Sequence, residues 1–326
     1  MVREQNAPWR HFSWRWTIRD IMTADARMKT RVGKVELANP IMPASGTFGS
    51  GKEFADFYDI GKLGAVVTKS VTFNPTKGNP PPRVAETPSG MLNAIGLQNE
   101  GVEAFLTKLL PELRNKAATI VVNVAGKSED DYLRLAERLA AAPIDVLEIN
   151  ISCPNVKEGG ITFGTCAKTA EDLVGKIRRI VGDKPMWVKL TPNVTDITEI
   201  AKAAEAAGAD ALVVANTFLG MAVDIEKRRP VIANITGGLS GPAVHPLVLR
   251  LLWQVRKAVA CPLVAVGGIQ SVKEVVAFLI TGASAVQVGA MNFVDPGIGG
   301  RLVDELDAWL AERGTTVEAI IGTLQT

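Results

Sequence analysis

From Asn39 onward, apolar and polar positions recur on two scales. Short runs rich in Val, Ile and Leu carry no polar face. Each run is followed by a polar or glycine-rich break, and then by a longer stretch in which apolar residues return every three or four positions. The short runs predict strands at residues 40–44, 65–69, 120–124, 146–151, 186–190, 211–215, 263–266 and 285–288. The longer stretches predict helices at 102–113, 130–141, 170–181, 196–207, 243–259, 272–281 and 300–313. Gly208 and Gly282 stand where two of these helices end, just before the next strand, as a helix stop requires.

Strands that are apolar on both faces and alternate with helices imply a parallel sheet covered by helices. Eight such units predict an α/β chain folded as a (β/α)8 TIM barrel, in preference to an open doubly wound sheet. Residues 28–326 then form one barrel domain, with 1–27 as an appended extension. Two connections, 71–98 and 218–242, are too long for plain turns. In a barrel, the loops that follow strands build the functional face.

Composition narrows the function. The chain has 326 residues, 47% of them hydrophobic, and a formal charge of +2, which argues against a dedicated nucleic-acid or membrane-surface protein. Three cysteines, Cys153, Cys166 and Cys261, make no C-x-x-C pair and no even-numbered framework. Neither a disulfide scaffold nor a zinc or iron–sulfur site is expected, and a reducing cytoplasm is the natural home. With His11 and His245 as the two histidines, a histidine-centred hydrolase is disfavoured. No apolar run approaches membrane-spanning length. The first residues differ in character, with Trp9, Trp14 and Trp16 interleaved with Arg3, Arg10, Arg15 and Arg19. That mixture suits an interfacial anchor, but an appended segment, or codons read through ahead of a start at Met28, is the plainer expectation.

The strand ends carry the chemistry. They read Ser45-Gly46, Lys69-Ser70, Asn123, Asn150 with Cys153, Lys189, Asn216-Thr217, Gly267-Gly268 and Gly289. Singly these are rim lysines and turn formers; in a barrel they all converge on one mouth. Cys153 follows a strand and precedes Pro154, which places its thiol on a loop, with Gly159-Gly160 soon after. A lone cysteine is by default a small buried hydrophobe, and its company makes it a candidate base. Glycines closing the last two strands would let backbone N–H groups approach a phosphate. Lys69 and Lys189 suit a flavin, one cation beside the pyrimidine edge and one group between flavin and substrate. The run Gly46-Thr47-Phe48-Gly49-Ser50-Gly51-Lys52 has phosphate-loop spacing but continues into Glu53, where a hydroxyl should hold magnesium, so it is set aside. No G-x-G-x-x-G opens a βαβ unit, so no NAD-binding Rossmann domain is expected.

With Asn150-Ile151-Ser152-Cys153-Pro154-Asn155 and Asn93-Ala94-Ile95-Gly96-Leu97-Gln98-Asn99, the chain resembles the catalytic subunits of dihydroorotate dehydrogenases from about Met28 to its C-terminus. Pro43-Ala44-Ser45-Gly46, Thr68-Lys69-Ser70, Val188-Lys189-Leu190-Thr191-Pro192, Ala215-Asn216-Thr217 and the run from Asn234 to Pro242 support the likeness. The resemblance implies FMN held by Ser45, Lys69, Ser70, Asn123, Asn150, Lys189, Ala215, Gly241, Gly267, Gly268, Gly289 and Ala290. It implies dihydroorotate, oxidised to orotate in pyrimidine biosynthesis, held by Lys69, Asn93, Ala94, Ile95, Gly96, Leu97, Asn150, Asn216 and Thr217, with Cys153 as the base. A cysteine base looks like class 1. The Gly96-Leu97-Gln98-Asn99 run and the Gly159-Gly160 loop look more like the NAD-linked subclass 1B than the fumarate-linked 1A. That subclass implies a homodimer within a heterotetramer, whose electron-transfer subunit carries FAD and a [2Fe–2S] cluster. Ala290 departs from the pattern, standing where a threonine is common. A dihydropyrimidine dehydrogenase-like flavin enzyme and a non-catalytic phosphate-binding barrel are the other expectations to separate.

Overall fold

The computed structural model describes residues 23–49, 51–152 and 163–325. Cys153, the Gly159-Gly160 loop and the Trp-rich residues 1–22 lie outside the described residues. All eight apolar runs are strands, with ends within two residues of those expected. They are β1 (Ile41–Pro43), β2 (Val66–Val67), β3 (Ile120–Val124), β4 (Val146–Asn150), β5 (Met186–Lys189), β6 (Ala211–Val214), β7 (Leu263–Val266) and β8 (Ala283–Val288). Every ladder between them is parallel, and neighbours run β1-β8-β7-β6-β5-β4-β3-β2. The remaining seam, between β1 and β2, is bridged by Gly64 N–H donating to Ile41 O at 2.9 Å. Asn39 clips the same seam: its Oδ1 accepts from Ile41 N and Gly64 N, and its Nδ2 donates to Lys62 O. The predicted TIM barrel is the architecture found.

Period-two alternation sorts each strand onto two cores. Outward residues such as Val122, Ile149, Val188 and Leu212 pack under the helices. Inward residues, among them Met42, Val67, Val121, Trp187, Val213 and Val264, fill the barrel. A hairpin of Thr30–Val32 and Val35–Leu37 turns at Gly33 against Asp210 and plugs the N-terminal end with Val32, Val35 and Leu37.

The helices lie where the pattern expects them, with one difference. The stretch predicted as a regular helix at 102–113 is Gly101–Ala104 and Leu110–Arg114 joined by a π turn at Phe105–Leu109. Pro111 has no N–H for the α ladder, and the turn ahead of it widens. The short helix Ala24–Met28 also joins the fold, since Arg27 pairs with Asp307 at 2.5 Å and Met28 is buried.

The two long connections hold structure that the sequence pattern did not predict. Strands Phe218–Met221, Thr236–Ser240, Gly90–Asn93 and Val84–Thr87 pair in that order as an antiparallel sheet. Gly238 pairs with Asn93 and Leu239 with Leu92, so the loop after β2 and the loop after β6 meet above the barrel mouth. Among the described residues no helix is long and apolar enough to cross a membrane.

Candidate active site

The mouth encloses a cavity of about 520 Å³, within the usual size for a cofactor site. Its walls come from the strand ends and the lid sheet. Ser45, Lys69, Ser70, Asn150, Lys189, Ala215, Gly241, Gly267, Gly268, Gly289 and Ala290 line it, and so do Asn93, Ala94, Ile95, Gly96, Leu97, Asn216 and Thr217. Of the predicted site residues in the described part, Asn123 alone stands back from the wall. It is fully buried and reaches the cavity through Ser70, whose Oγ donates to its Oδ1. Ser70 Oγ lies 3.5 Å from Ser45 Oγ.

The residue just before Cys153 is fixed from two sides. Ser152 Oγ and N donate to Asn150 Oδ1 at 2.5 and 3.2 Å, and Asn216 Nδ2 donates to Ser152 Oγ at 2.5 Å. Tyr132 Oη holds the Asn150 carbonyl at 2.6 Å. The end of β4 is therefore rigid where the chain leaves toward the cysteine.

Charge at the cavity is one-sided. Among the described residues neither Lys69 nor Lys189 forms an ion pair, although Lys189 is only 4% exposed. Burial, and then the Arg83 guanidinium, pull the Lys69 ammonium below the ordinary lysine range, with Glu53 opposing. Burial does the same to Lys189, and the Glu148 carboxylate pulls it back. Two cations kept in a partly apolar cleft, with no carboxylate in direct ion-pair contact, make a site for an anionic ligand.

Five further lining residues were given no site role from the sequence, although Gln98, Asn234 and Ser240 lie within its quoted motifs: Arg83, Met91, Gln98, Asn234 and Ser240 sit on the lid strands or beside them. Arg83 donates to Asn79 O at 3.2 Å and to Gln98 Oε1 at 2.5 Å, which ties the start of the lid to the 93–99 run. Glu148 is not visible in the pattern either, because its neighbours in β4 are apolar; it is fully buried inside the barrel. A period-two reading of β4 would have found it, two residues before Asn150 on the same face.

The other two cysteines are far from equivalent. Cys166 occupies the position just before the helix Ala167–Val181, and Thr169 draws its exposed thiol down, whereas burial and then Glu205 push Cys261 up to about 12. Iodoacetamide at pH 8 is expected to label Cys166 within minutes and leave Cys261 unmodified in the folded protein, read by peptide mass. Equal labelling would contradict both environments.

A barrel with glycine-ended final strands, two lysines free of direct ion pairs and a ring of amides around one C-terminal cavity has the makings of a cofactor-binding oxidoreductase site. Comparison with known proteins gives the member. The dihydroorotate dehydrogenase family profile matches residues 27–310. The "Dihydroorotate dehydrogenase B (NAD(+)), catalytic subunit" of Trichlorobacter lovleyi is 51% identical over 300 residues, 91% of this chain and 98% of the relative. The proteins of the same name from Geotalea daltonii and Phocaeicola vulgatus are each 49% identical, over 91% and 92% of this chain and 98% and 99% of their own length. The chain belongs to the dihydroorotate dehydrogenase family, and so to the flavin-dependent enzymes.

Proposed function

We propose that this chain is the FMN-bearing catalytic subunit of an NAD-linked, class 1B dihydroorotate dehydrogenase, oxidising dihydroorotate to orotate in pyrimidine biosynthesis. What carries the reading is that Lys69, Lys189, the amides Asn93, Asn150 and Asn216, and the glycines after β7 and β8 border one cavity. The residues suit FMN on chemical grounds. Gly241, Gly267, Gly268, Gly289 and Ala290 offer backbone at one end for a phosphate, and Ala290 adds no hydroxyl where a threonine would. Lys189 supplies positive charge for the pyrimidine edge, and Ser45, Ser70 and Asn150 supply neutral hydrogen bonds. FMN, when bound, accepts the hydride.

The chain's own part is to bind, orient and deprotonate. Lys69 pairs with the substrate's charge, and Asn93, Asn150, Asn216 and Thr217 pair its ring, with backbone from the 94–97 run closing over it. Cys153, next in the sequence after Ser152, takes the proton from the carbon next to the carbonyl. Electrons leave through a partner subunit carrying FAD and a [2Fe–2S] cluster, and the protein works in the cytoplasm as a heterotetramer built on a catalytic homodimer. Leu219 and Met221 on the lid, with Val223 and Ile225 just after it in sequence, are exposed and offer such an assembly apolar side chains.

The test is anaerobic. Dihydroorotate is expected to bleach the flavin completely within seconds, while dihydrouracil leaves it yellow. NAD⁺ should restore the colour only when the electron-transfer subunit is present. Rapid reoxidation by fumarate with this chain alone would overturn the NAD-linked assignment; a colourless protein that binds no flavin would overturn the enzyme.

A further inference from the structure

Beneath the cavity the barrel holds a polar layer whose carboxylate no binding role uses. Glu148 on β4 is fully buried, and its two oxygens accept from Asn123 Nδ2 on β3 and Gln287 Nε2 on β8, both at 2.6 Å. Asn123 in turn receives the hydrogen bond from Ser70. A carboxylate withdrawn from water persists only where donors and a counter-charge compensate it, and two amides supply donors but no charge. The positive charge on the same inward face is Lys189, on which the carboxylate acts across the layer without a direct ion-pair contact. Asn150 is paired with Lys189 in the β4–β5 ladder, and Glu148, two residues before Asn150, shares its inward face, so the carboxylate lies diagonally below the lysine. From the other elements packed around this layer come Asn123, Val213, Ala215 and Gln287, all uncharged. The other charged residues that line the cavity are Lys69 and Arg83, and both are positive.

We propose that Glu148 is a positioning residue for the redox chemistry: from inside the barrel it holds Lys189 in its ammonium form and aims it up at the cofactor's pyrimidine edge. The inference rests on the flavin reading of the cavity. Negative charge gathers at that edge on reduction, so a lysine that keeps its proton favours the reduced state and one that loses it does not. Glu148 thus acts through Lys189, without touching substrate or cofactor.

Glu148→Gln is the informative change. The new amide can still accept from Asn123, and Gln287 can turn to present its Oε1, which has no partner in the native arrangement. The layer therefore keeps its hydrogen bonds and loses only its charge. In the purified holo-protein, the midpoint potential of the bound flavin is measured from pH 6 to pH 9 against a reference dye. Relative to wild type, Glu148→Gln is expected to shift it downward, and the gap should widen as pH rises and Lys189 gives up its proton. In a Lys189→Met background the same substitution should leave the potential unmoved. A potential that rises, or that tracks wild type across the range with FMN retained, overturns the proposal. Should Glu148→Gln fail to fold, the pair is read from stability alone. Recovery of folded protein on adding Lys189→Met supports a charge pair, because removing both halves leaves no orphaned charge, and failure to recover overturns it. Wild-type protein that binds no flavin would instead refute the reading of the cavity, while the stability comparison would still stand.

Discussion

Cys153→Ala is expected to leave FMN bound and the protein folded, yet to slow flavin bleaching by dihydroorotate at pH 7 by about 10²- to 10⁴-fold, the usual worth of a positioned general base. The residues that border the cavity are untouched by this change, so substrate affinity should fall far less than rate. The pH profile supplies a sharper criterion. An ordinary thiol has a pKa of about 8.5, so only a few per cent is thiolate at neutral pH. The bleaching rate of the native protein should therefore climb with pH until the thiol is ionised, and the variant should lose that limb. Stopped-flow traces under argon from pH 6 to pH 9.5 measure both effects. An unchanged rate, or a variant that keeps the climb, would move the base elsewhere; Ser152, already committed to Asn150 and Asn216, would be a poor substitute.

How much of this was legible beforehand follows from what each part of the fold asks of its residues. Parallel strands buried on both faces are mostly apolar, so β3, β4, β6 and β7 announced themselves as runs rich in Val, Ile and Leu, and β5 as Met186-Trp187-Val188. Their polar ends were legible for the same reason, since Lys69, Asn150 and Lys189 interrupt otherwise greasy segments. The lid sheet was not, because Gly90, Gly237 and Gly238 sit inside its strands and the burial along Phe218–Met221 and Val84–Thr87 is only partial. Glycine there serves close approach and reads as loop: a Cβ on Gly238 would stand 2.0 Å from Thr217 Oγ1. The N-terminal hairpin at Thr30–Val32 and Val35–Leu37 went unread because three-residue strands give too short an alternation to see. Glu148 was hidden by the strength of its surroundings: the run from Val146 to Ile151 is apolar enough that one carboxylate did not break it. Its need for partners becomes visible only once Asn123, Lys189 and Gln287 are known to face the same interior.

Gly64→Ala should be the most damaging small change outside the cavity. The β1–β2 seam is the one place where the barrel is closed without a regular ladder, and Gly64 closes it by passing against Asn39. A Cβ at Gly64 would fall 1.9 Å from the Asn39 carbonyl oxygen, a backbone atom that cannot swing aside as a side chain would. Relief requires the two segments to part, which stretches the Gly64 N–H contacts to Ile41 O at 2.9 Å and Asn39 Oδ1 at 3.1 Å. Overpacking costs about 1–3 kcal/mol, and each weakened buried hydrogen bond adds about 1 kcal/mol, giving a total of roughly 3–5 kcal/mol. In a chain of this size that corresponds to a fall of about 10 °C in Tm, taking roughly 2–4 °C per kcal/mol. Asn39→Ala, which removes the clip without adding bulk, should lower Tm by a smaller amount and bring Gly64→Ala no relief, because the clash is with backbone. Thermal unfolding followed by circular dichroism decides it: a Gly64→Ala protein that melts with the native one would mean that the seam yields freely and that the barrel is held by its seven ladders alone. The consequence reaches the site, since β1 and β2 deliver Ser45 and Lys69 to opposite sides of that seam. A protein that survives the substitution should bind FMN more weakly even at temperatures where it remains folded.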